Sequence, residues 1–172
     1  SIIDLSFLEN YHKKSSILET KRLKLIPLTK RNFKVLFYLR EKISREKNAF
    51  RKKNKITMNE HMQWFKNYST QNRIDYLIFE KKLKKYIGAL HYKISKNEAE
   101  MGKFISEKTF LGKGYGFEAT KRWIEFGIQS NRFNKIIAIT SKKNVINISL
   151  NKKLGFKKIN NKNSIWQKMI YG

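Results

Sequence analysis

The run Leu111-Gly112-Lys113-Gly114-Tyr115-Gly116 lies between a strand-like segment ending near Ser106 and a helix-like segment beginning at Phe117. Glycine at every second position lets the backbone take φ > 0 and leaves no Cβ between the amide N–H groups and an approaching ligand. A helix starting directly afterwards aims its unpaired N–H groups and the positive end of its dipole into the same space. The chemistry this favours is phosphate binding, and a glycine-rich turn without a ligand is the plainer alternative. Spacing excludes two common phosphate loops. A Walker A loop needs a Lys-Ser or Lys-Thr pair after its last glycine, and none follows Gly116. A dinucleotide fingerprint needs G-x-x-G at its end, whereas the spacing here is G-x-G-x-G.

Downstream, Lys135-Ile136-Ile137-Ala138-Ile139-Thr140 is a short apolar, β-rich run of the kind that fills a central strand. A helix is expected next, with Asn144, Asn147 and Asn151 on one face at i, i+3 and i+7 and Ile148 and Leu154 in its apolar stripe. Gly155 ends that helix and Phe156 restarts a strand. Asn abounds throughout the chain, so weak constraint is the competing account of the three asparagines.

Strand, glycine loop, helix, strand, Asn144 and then Lys153-Leu154-Gly155-Phe156, in that order, resemble the GNAT superfamily of acetyl-CoA-dependent N-acetyltransferases over roughly residues 20 to 172. The family's loop follows Q/R-x-x-G-x-G/A, which Gly114 and Gly116 match, while Leu111 stands where Gln or Arg is usual. The resemblance implies that acetyl-CoA is held by Phe104, Ile105 and Ser106 of the strand, by Leu111, Gly112, Lys113, Gly114, Tyr115 and Gly116 of the loop, and by Asn144, Asn147 and Asn151 of the later helix. It also implies an α/β fold with a mixed, largely antiparallel central sheet flanked by helices, and leaves a homodimer as a candidate assembly.

One departure touches the mechanism. Many relatives carry Tyr four residues before the closing Gly-Phe, where it protonates the departing thiolate, and this chain has Asn151 there. A carboxamide has no proton to give near neutral pH, and the acid role it vacates is worth about 10²–10⁴-fold in rate. A thiol with pKa of roughly 8.5 is still a fair leaving group, so acetyl transfer survives the loss. The acceptor must attack as a neutral amine. At pH 7 a lysine side chain is neutral about once in two thousand molecules and an α-amine about once in ten. Glu100, in the strand leading to the loop, is the first candidate to take the acceptor's proton, and His91 in the preceding strand is the second. Their plainer readings are a solvated strand carboxylate and a structural histidine.

The 172 residues suffice for one well-packed domain. Residues 1–20 read as an N-terminal extension and 21–172 as the transferase domain. There is no apolar run of 18 residues and no cysteine, and His12, His61 and His91 lack metal-ligand spacing. A cytoplasmic enzyme without metal or membrane partner is expected. The net charge of +26, from 39 Lys and Arg against 13 Asp and Glu, would ordinarily suggest nucleic acid. Here the excess is mostly Lys, accompanied by Asn and Ile and spread along the chain, as biased codon use produces, so no specific nucleic-acid partner is expected. The field still attracts coenzyme A and an anionic acceptor and repels a cationic peptide.

Strands are expected near 21–28, 74–80, 86–94, 98–106, 135–140, 155–160 and 164–171, and helices near 32–51, 57–68 and 117–130, besides the Asn-bearing one. The second helix is expected to bury Met58, Met62, Phe65 and Trp64. The segment from Leu39-Arg40-Glu41 through Arg45 to Glu60-His61-Met62-Gln63-Trp64-Phe65 is similar to the acceptor-side helices of bacterial amino-sugar N-acetyltransferases, including those of the pseudaminic-acid pathway. That similarity implies a nucleotide-linked amino sugar as acceptor and Arg40, Arg45 and His61 as its contacts. Ribosomal-protein N-terminal acetyltransferases share the overall pattern and give the second reading. A catalytically weak, nucleic-acid-binding relative is the third.

Overall fold

The computed structural model describes residues 17–44, 55–160, 162 and 164–172. Among the described residues eight strands form one sheet: β1 (Leu18–Glu19), β2 (Leu23–Pro27), β3 (Arg73–Glu80), β4 (Lys85–Ser95), β5 (Glu98–Ile105), β6 (Lys135–Ser141), β7 (Phe156–Lys158) and β8 (Trp166–Tyr171). Among the same residues four α-helices cover it: α1 (Phe33–Ser44), α2 (Met58–Lys66), α3 (Tyr115–Gln129) and α4 (Val145–Leu154). The strand order is β1-β2-β3-β4-β5-β6-β8-β7. Neighbours are antiparallel except β5 and β6, which run parallel and are therefore joined by the α3 crossover. This is the mixed, largely antiparallel α/β architecture that the family resemblance implies.

Alternation along the strands divides the core in two. Ile74, Tyr76, Ile78, Leu90, Tyr92 and Met101 point to the side covered by α3 and α4, with Trp123 at its centre. Leu77 and Ala89 point to the other side, where Leu36, Leu39 and Phe65 of α1 and α2 close over them. Trp123 is fully buried and stacks on Tyr92 at 4.8 Å between ring centroids. The Tyr92 hydroxyl donates to the Trp123 carbonyl at 2.8 Å, and the indole N–H donates to the His91 carbonyl at 3.3 Å. Stacking and hydrogen bonds together fix where α3 begins, and with it the glycine loop.

Several boundaries differ from the sequence expectation. Leu18 and Glu19 pair with Leu25 and Lys24, so the sheet starts inside the segment read as an extension. The first helix is described only to Ser44, and the rest of its expected span lies outside the described residues. In α2 a complete capping box forms, Thr57 Oγ1 accepting from the Glu60 N–H and the Glu60 carboxylate accepting from the Thr57 N–H. Its buried residues are His61 and Phe65, while Met58, Met62 and Trp64 are half-buried. In α3, Ile128 is exposed although it follows the helical spacing of the buried Thr120, Trp123, Ile124 and Gly127.

Candidate active site

The glycine loop delivers the first turn of α3. Gly112 and Gly114 sit at φ of 72° and 80°, the left-handed region that an L side chain enters only at a cost. Gly114 is the N-cap and offers no side chain to the first-turn N–H groups, which stay available to an anion. The Leu111 side chain is exposed, so its presence in the usual Gln or Arg position leaves these backbone donors open. Glu118 braces the loop from behind. Its carboxylate accepts from the Thr20 hydroxyl at 2.7 Å, the Arg22 N–H at 2.8 Å and Arg22 Nε at 2.7 Å. Arg22 in turn donates to the Lys113 carbonyl at 2.9 Å and lies 4.2 Å over the Tyr115 ring. These hydrogen bonds and the Arg22 charge outweigh the effect of partial burial and hold Glu118 below the usual carboxylate range. A groove of about 470 Å³ along this flank of α3, between Glu19 and Glu125, shares Gly114 with the loop and includes none of the asparagines.

The second component is a fork in the sheet. The β5–β6 ladder runs from Glu98↔Lys135 to Met101↔Ala138. Beyond it β5 continues to Ile105 against β4, and β6 continues to Ser141 against β8. Ser106 directs its N–H to the Ile87 carbonyl on the β4 side at 2.8 Å and adds its hydroxyl at 3.1 Å. Strand groups alternate, so the amides of Lys103 and Ile105 face the open side of β5 while that of Phe104 faces β4.

The asparagines of α4 have three different surroundings. Asn144 is the N-cap, its side chain accepting from the Asn147 N–H at 3.1 Å. Asn147 donates to the Thr140 hydroxyl at 3.0 Å. Asn151 is fully buried, with Oδ1 accepting from Lys103 Nζ at 2.6 Å and with Nδ2 lacking a partner among the described residues. Desolvation pulls the Lys103 ammonium down to about 8.

On the opposite face of the sheet a charged cluster surrounds Asp75. Arg73 grips its carboxylate with both Nε and Nη2 at 2.7 Å, and the Tyr68 hydroxyl donates at 2.8 Å. Burial alone would raise Asp75, yet the Arg73 charge and these bonds hold it low, and Arg73 is raised in return. Arg73 lies 5.1 Å and Arg40 6.0 Å over the Trp64 ring. Burial lowers Arg40, whose Nε is buried without a partner among the described residues.

His61 differs from the expectation of an acceptor contact. It is 1% exposed, donates Nε2–H to the Phe33 carbonyl at 2.7 Å and stacks beneath Trp64 at 5.3 Å. Its ring supports the platform from below because the α2 helical spacing turns it inward. Arg45 lies outside the described residues. His91 stands between Asp75 and Gly102 in register, and a Cβ at position 102 would collide with its ring. Desolvation, against the attraction of Asp75, pushes His91 down to about 3, with Arg73, Lys93 and Arg40 adding to the fall. The imidazole is therefore neutral at pH 7 and a weak base. Glu100 shares this face beside Lys93 and Ile137, where the ladder to β6 is about to end.

Sequence reasoning thus missed Lys103, Arg73, Asp75 and the Arg22–Glu118 brace. A local signal for the first three was present: Arg73 and Asp75 flank Ile74 just before the apolar run Tyr76–Phe79 of β3, and Lys103 interrupts the run Met101–Ile105 of β5.

Residues 22–157 match the profile of the family described as Acetyltransferase (GNAT) domain. Among solved structures, a domain from Methanocaldococcus jannaschii superposes with a TM-score of 0.73 at 20% identity, covering 87% of this chain and 97% of that one. Spermidine N-acetyltransferase from Vibrio cholerae, in complex with CoA and spermine, gives 0.71 at 17% identity over 88% and 95% of the two chains. A putative GNAT-family acetyltransferase from Bordetella pertussis gives 0.70 at 14% identity over 92% and 100%. Comparison with curated protein sequences finds no match.

Proposed function

Because this chain belongs to the GNAT acetyltransferase family, we propose that it moves the acetyl group of acetyl-CoA to the amine of an anionic small molecule, best a nucleotide-linked amino sugar. The observation that carries the acceptor class is the Arg40–Trp64–Arg73 cluster, two guanidiniums on one indole with Asp75 paired to Arg73 and Arg40 Nε unpartnered among the described residues. With Arg73 neutralised by Asp75, Arg40 is the cation of this cluster left to draw a diphosphate, and the net charge of +26 attracts anions and resists a polycation over longer range. A polyamine, the ligand named with the Vibrio cholerae enzyme, meets the wrong sign of charge here.

The chain's own groups fit the co-substrate. The N–H groups at Gly114–Phe117 face the pyrophosphate, the open edge at Lys103 and Ile105 pairs with the pantetheine amides, and Asn151 Nδ2, without a partner among the described residues, can donate to the same co-substrate. Acetyl transfer then proceeds by direct attack of the acceptor nitrogen on the thioester carbonyl, with both substrates bound. Glu100 takes the proton the nitrogen sheds. Arg40, with Arg45 beside it in sequence, receives the acceptor's anionic part.

Turnover is tested by following free thiol release from acetyl-CoA against nucleotide-linked amino sugars, N-terminal peptides and spermine. Turnover with an amino sugar supports the reading. Turnover only with peptides moves the enzyme to α-amine acetylation, and turnover only with spermine refutes the charge argument. Glu100→Gln is expected to lower kcat/KM by about 10²–10⁴-fold at pH 7, with the deficit shrinking as pH rises and more acceptor is already neutral. Full activity of that variant at and below neutral pH removes Glu100 from the mechanism.

A further inference from the structure

Lys103 is a cation placed where the fork opens, on the opposite face of β5 from Glu100. Its Nζ is bonded to Asn151 Oδ1 at 2.6 Å, a neutral partner, and desolvation alone accounts for its lowered pKa. The side chains sharing its face are Leu90 and Tyr92 of β4, Met101 and Ile105 of β5 and Ala138 of β6, with Ile148 and Asn151 reaching in from α4. Of these only Tyr92 titrates, and burial drives its phenol far upward while its hydroxyl donates to Trp123. A half-buried cation with no carboxylate beside it among the described residues is costly to desolvate and gains from an anion that forms next to it.

Asn151 occupies the position where relatives carry the tyrosine that protonates the thiolate, and it holds Lys103 in its place. We propose that Lys103 is the acid that protonates the coenzyme A thiolate as the thioester breaks, with Asn151 as its positioning residue. This rests on the acetyl-transfer reading. The acceptor nitrogen forms the new N–C bond and the carbonyl pair moves to oxygen. When the oxygen pair returns, the C–S bond breaks with its electrons on sulfur. The Nζ–H proton goes to that sulfur, leaving Lys103 neutral until solvent restores its proton, while the acceptor's own proton leaves through Glu100. An ordinary lysine near 10.4 would hold its proton more tightly than a thiolate near 8.5, whereas an ammonium at about 8 is matched to it.

The test titrates the thiol of bound CoA by thiolate absorbance, with the complex of desulfo-CoA as blank, in the wild type, Lys103→Met and Lys103→Arg. The wild-type complex is expected to ionise about one unit or more below the Lys103→Met complex, because the ammonium favours the thiolate. Lys103→Arg keeps the charge and the lowered thiol but cannot release its proton, so its kcat is expected to fall about 10²-fold with KM for acetyl-CoA changed by less than about threefold. Equal thiol titration in wild type and Lys103→Met, or wild-type kcat in Lys103→Arg, overturns the assignment. Should Lys103→Met not fold, the Lys103→Arg kcat decides alone. Failure of the wild type to bind CoA at all would instead refute the acetyl-transfer reading on which this rests.

Discussion

Asp75→Asn is expected to destabilise the protein by about 3–5 kcal/mol at pH 7, the range for breaking a buried pair from one side. Asp75 is 4% exposed, and three hydrogen bonds at 2.7 to 2.8 Å converge on its two oxygens. Asparagine keeps the shape but leaves the Arg73 guanidinium, itself 8% exposed, as a buried charge with a neutral neighbour. For a chain of this length that loss corresponds to a fall in Tm of roughly 6–20 °C. The pH dependence has a definite sign. The folded pKa of Asp75 lies below its unfolded value of about 3.9, so the ion pair contributes fully above that pH and is lost as pH falls through the folded pKa. The gap between wild type and variant is therefore constant from neutral pH to about pH 4 and narrows below it. Thermal melts across that range check both statements, and equal Tm values at pH 7 would refute the first. Loosened Arg73 also loses its anchor over Trp64, so acceptor affinity should fall at temperatures where the variant is still folded.

How much of this was readable from the sequence depends on whether a feature is local. The strands were legible because their apolar alternation repeats every two residues, and the glycine loop because Gly112 and Gly114 mark the two positive-φ positions directly. The departure at Asn151 was also legible, being a fixed distance from Gly155. Its meaning was not, because Lys103 stands 48 positions away and meets it only once β5 and α4 have packed. The same applies to the Asp75 cluster. Arg73 and Asp75 share a strand face by their i, i+2 spacing, but Tyr68 and Trp64 arrive from the α2 side. His61 shows the converse: a polar residue expected to contact the acceptor is placed inward by helical phase, with Nε2 bonded to the Phe33 carbonyl. A charge set directly against apolar strand neighbours is the local trace such clusters leave, as at Asp75 between Ile74 and Tyr76 and at Lys103 before Phe104 and Ile105.

Gly114→Val is expected to weaken acetyl-CoA binding about tenfold or more while leaving the fold intact. At φ of 80° a β-branched residue meets the steric penalty of the left-handed region, about 1–2 kcal/mol or more, and a Cβ there would stand 3.4 Å from Arg22 Nη2. The strain cannot be relieved toward α3, because Trp123 and the Glu118 brace hold that helix against β4 and β2. It is relieved instead by turning the loop back to negative φ, which rotates the amide donors away from the phosphate position. Gly114 itself is exposed, so no core contact is lost and the unliganded Tm should drop by only a few degrees. The stabilisation by ligand carries the signal. Acetyl-CoA at 100 times its Kd stabilises the wild type by about 2.7 kcal/mol, and a tenfold weaker variant at that concentration keeps only about 1.4 kcal/mol. Gly116→Ala separates the backbone from the side-chain contribution, since its Cβ would lie 3.7 Å from Leu150 Cδ2, an ordinary contact between α3 and α4. Strong loss in Gly114→Val with mild loss in Gly116→Ala places the binding energy in the left-handed turn. An unchanged acetyl-CoA shift in Gly114→Val would mean that the phosphates are held elsewhere.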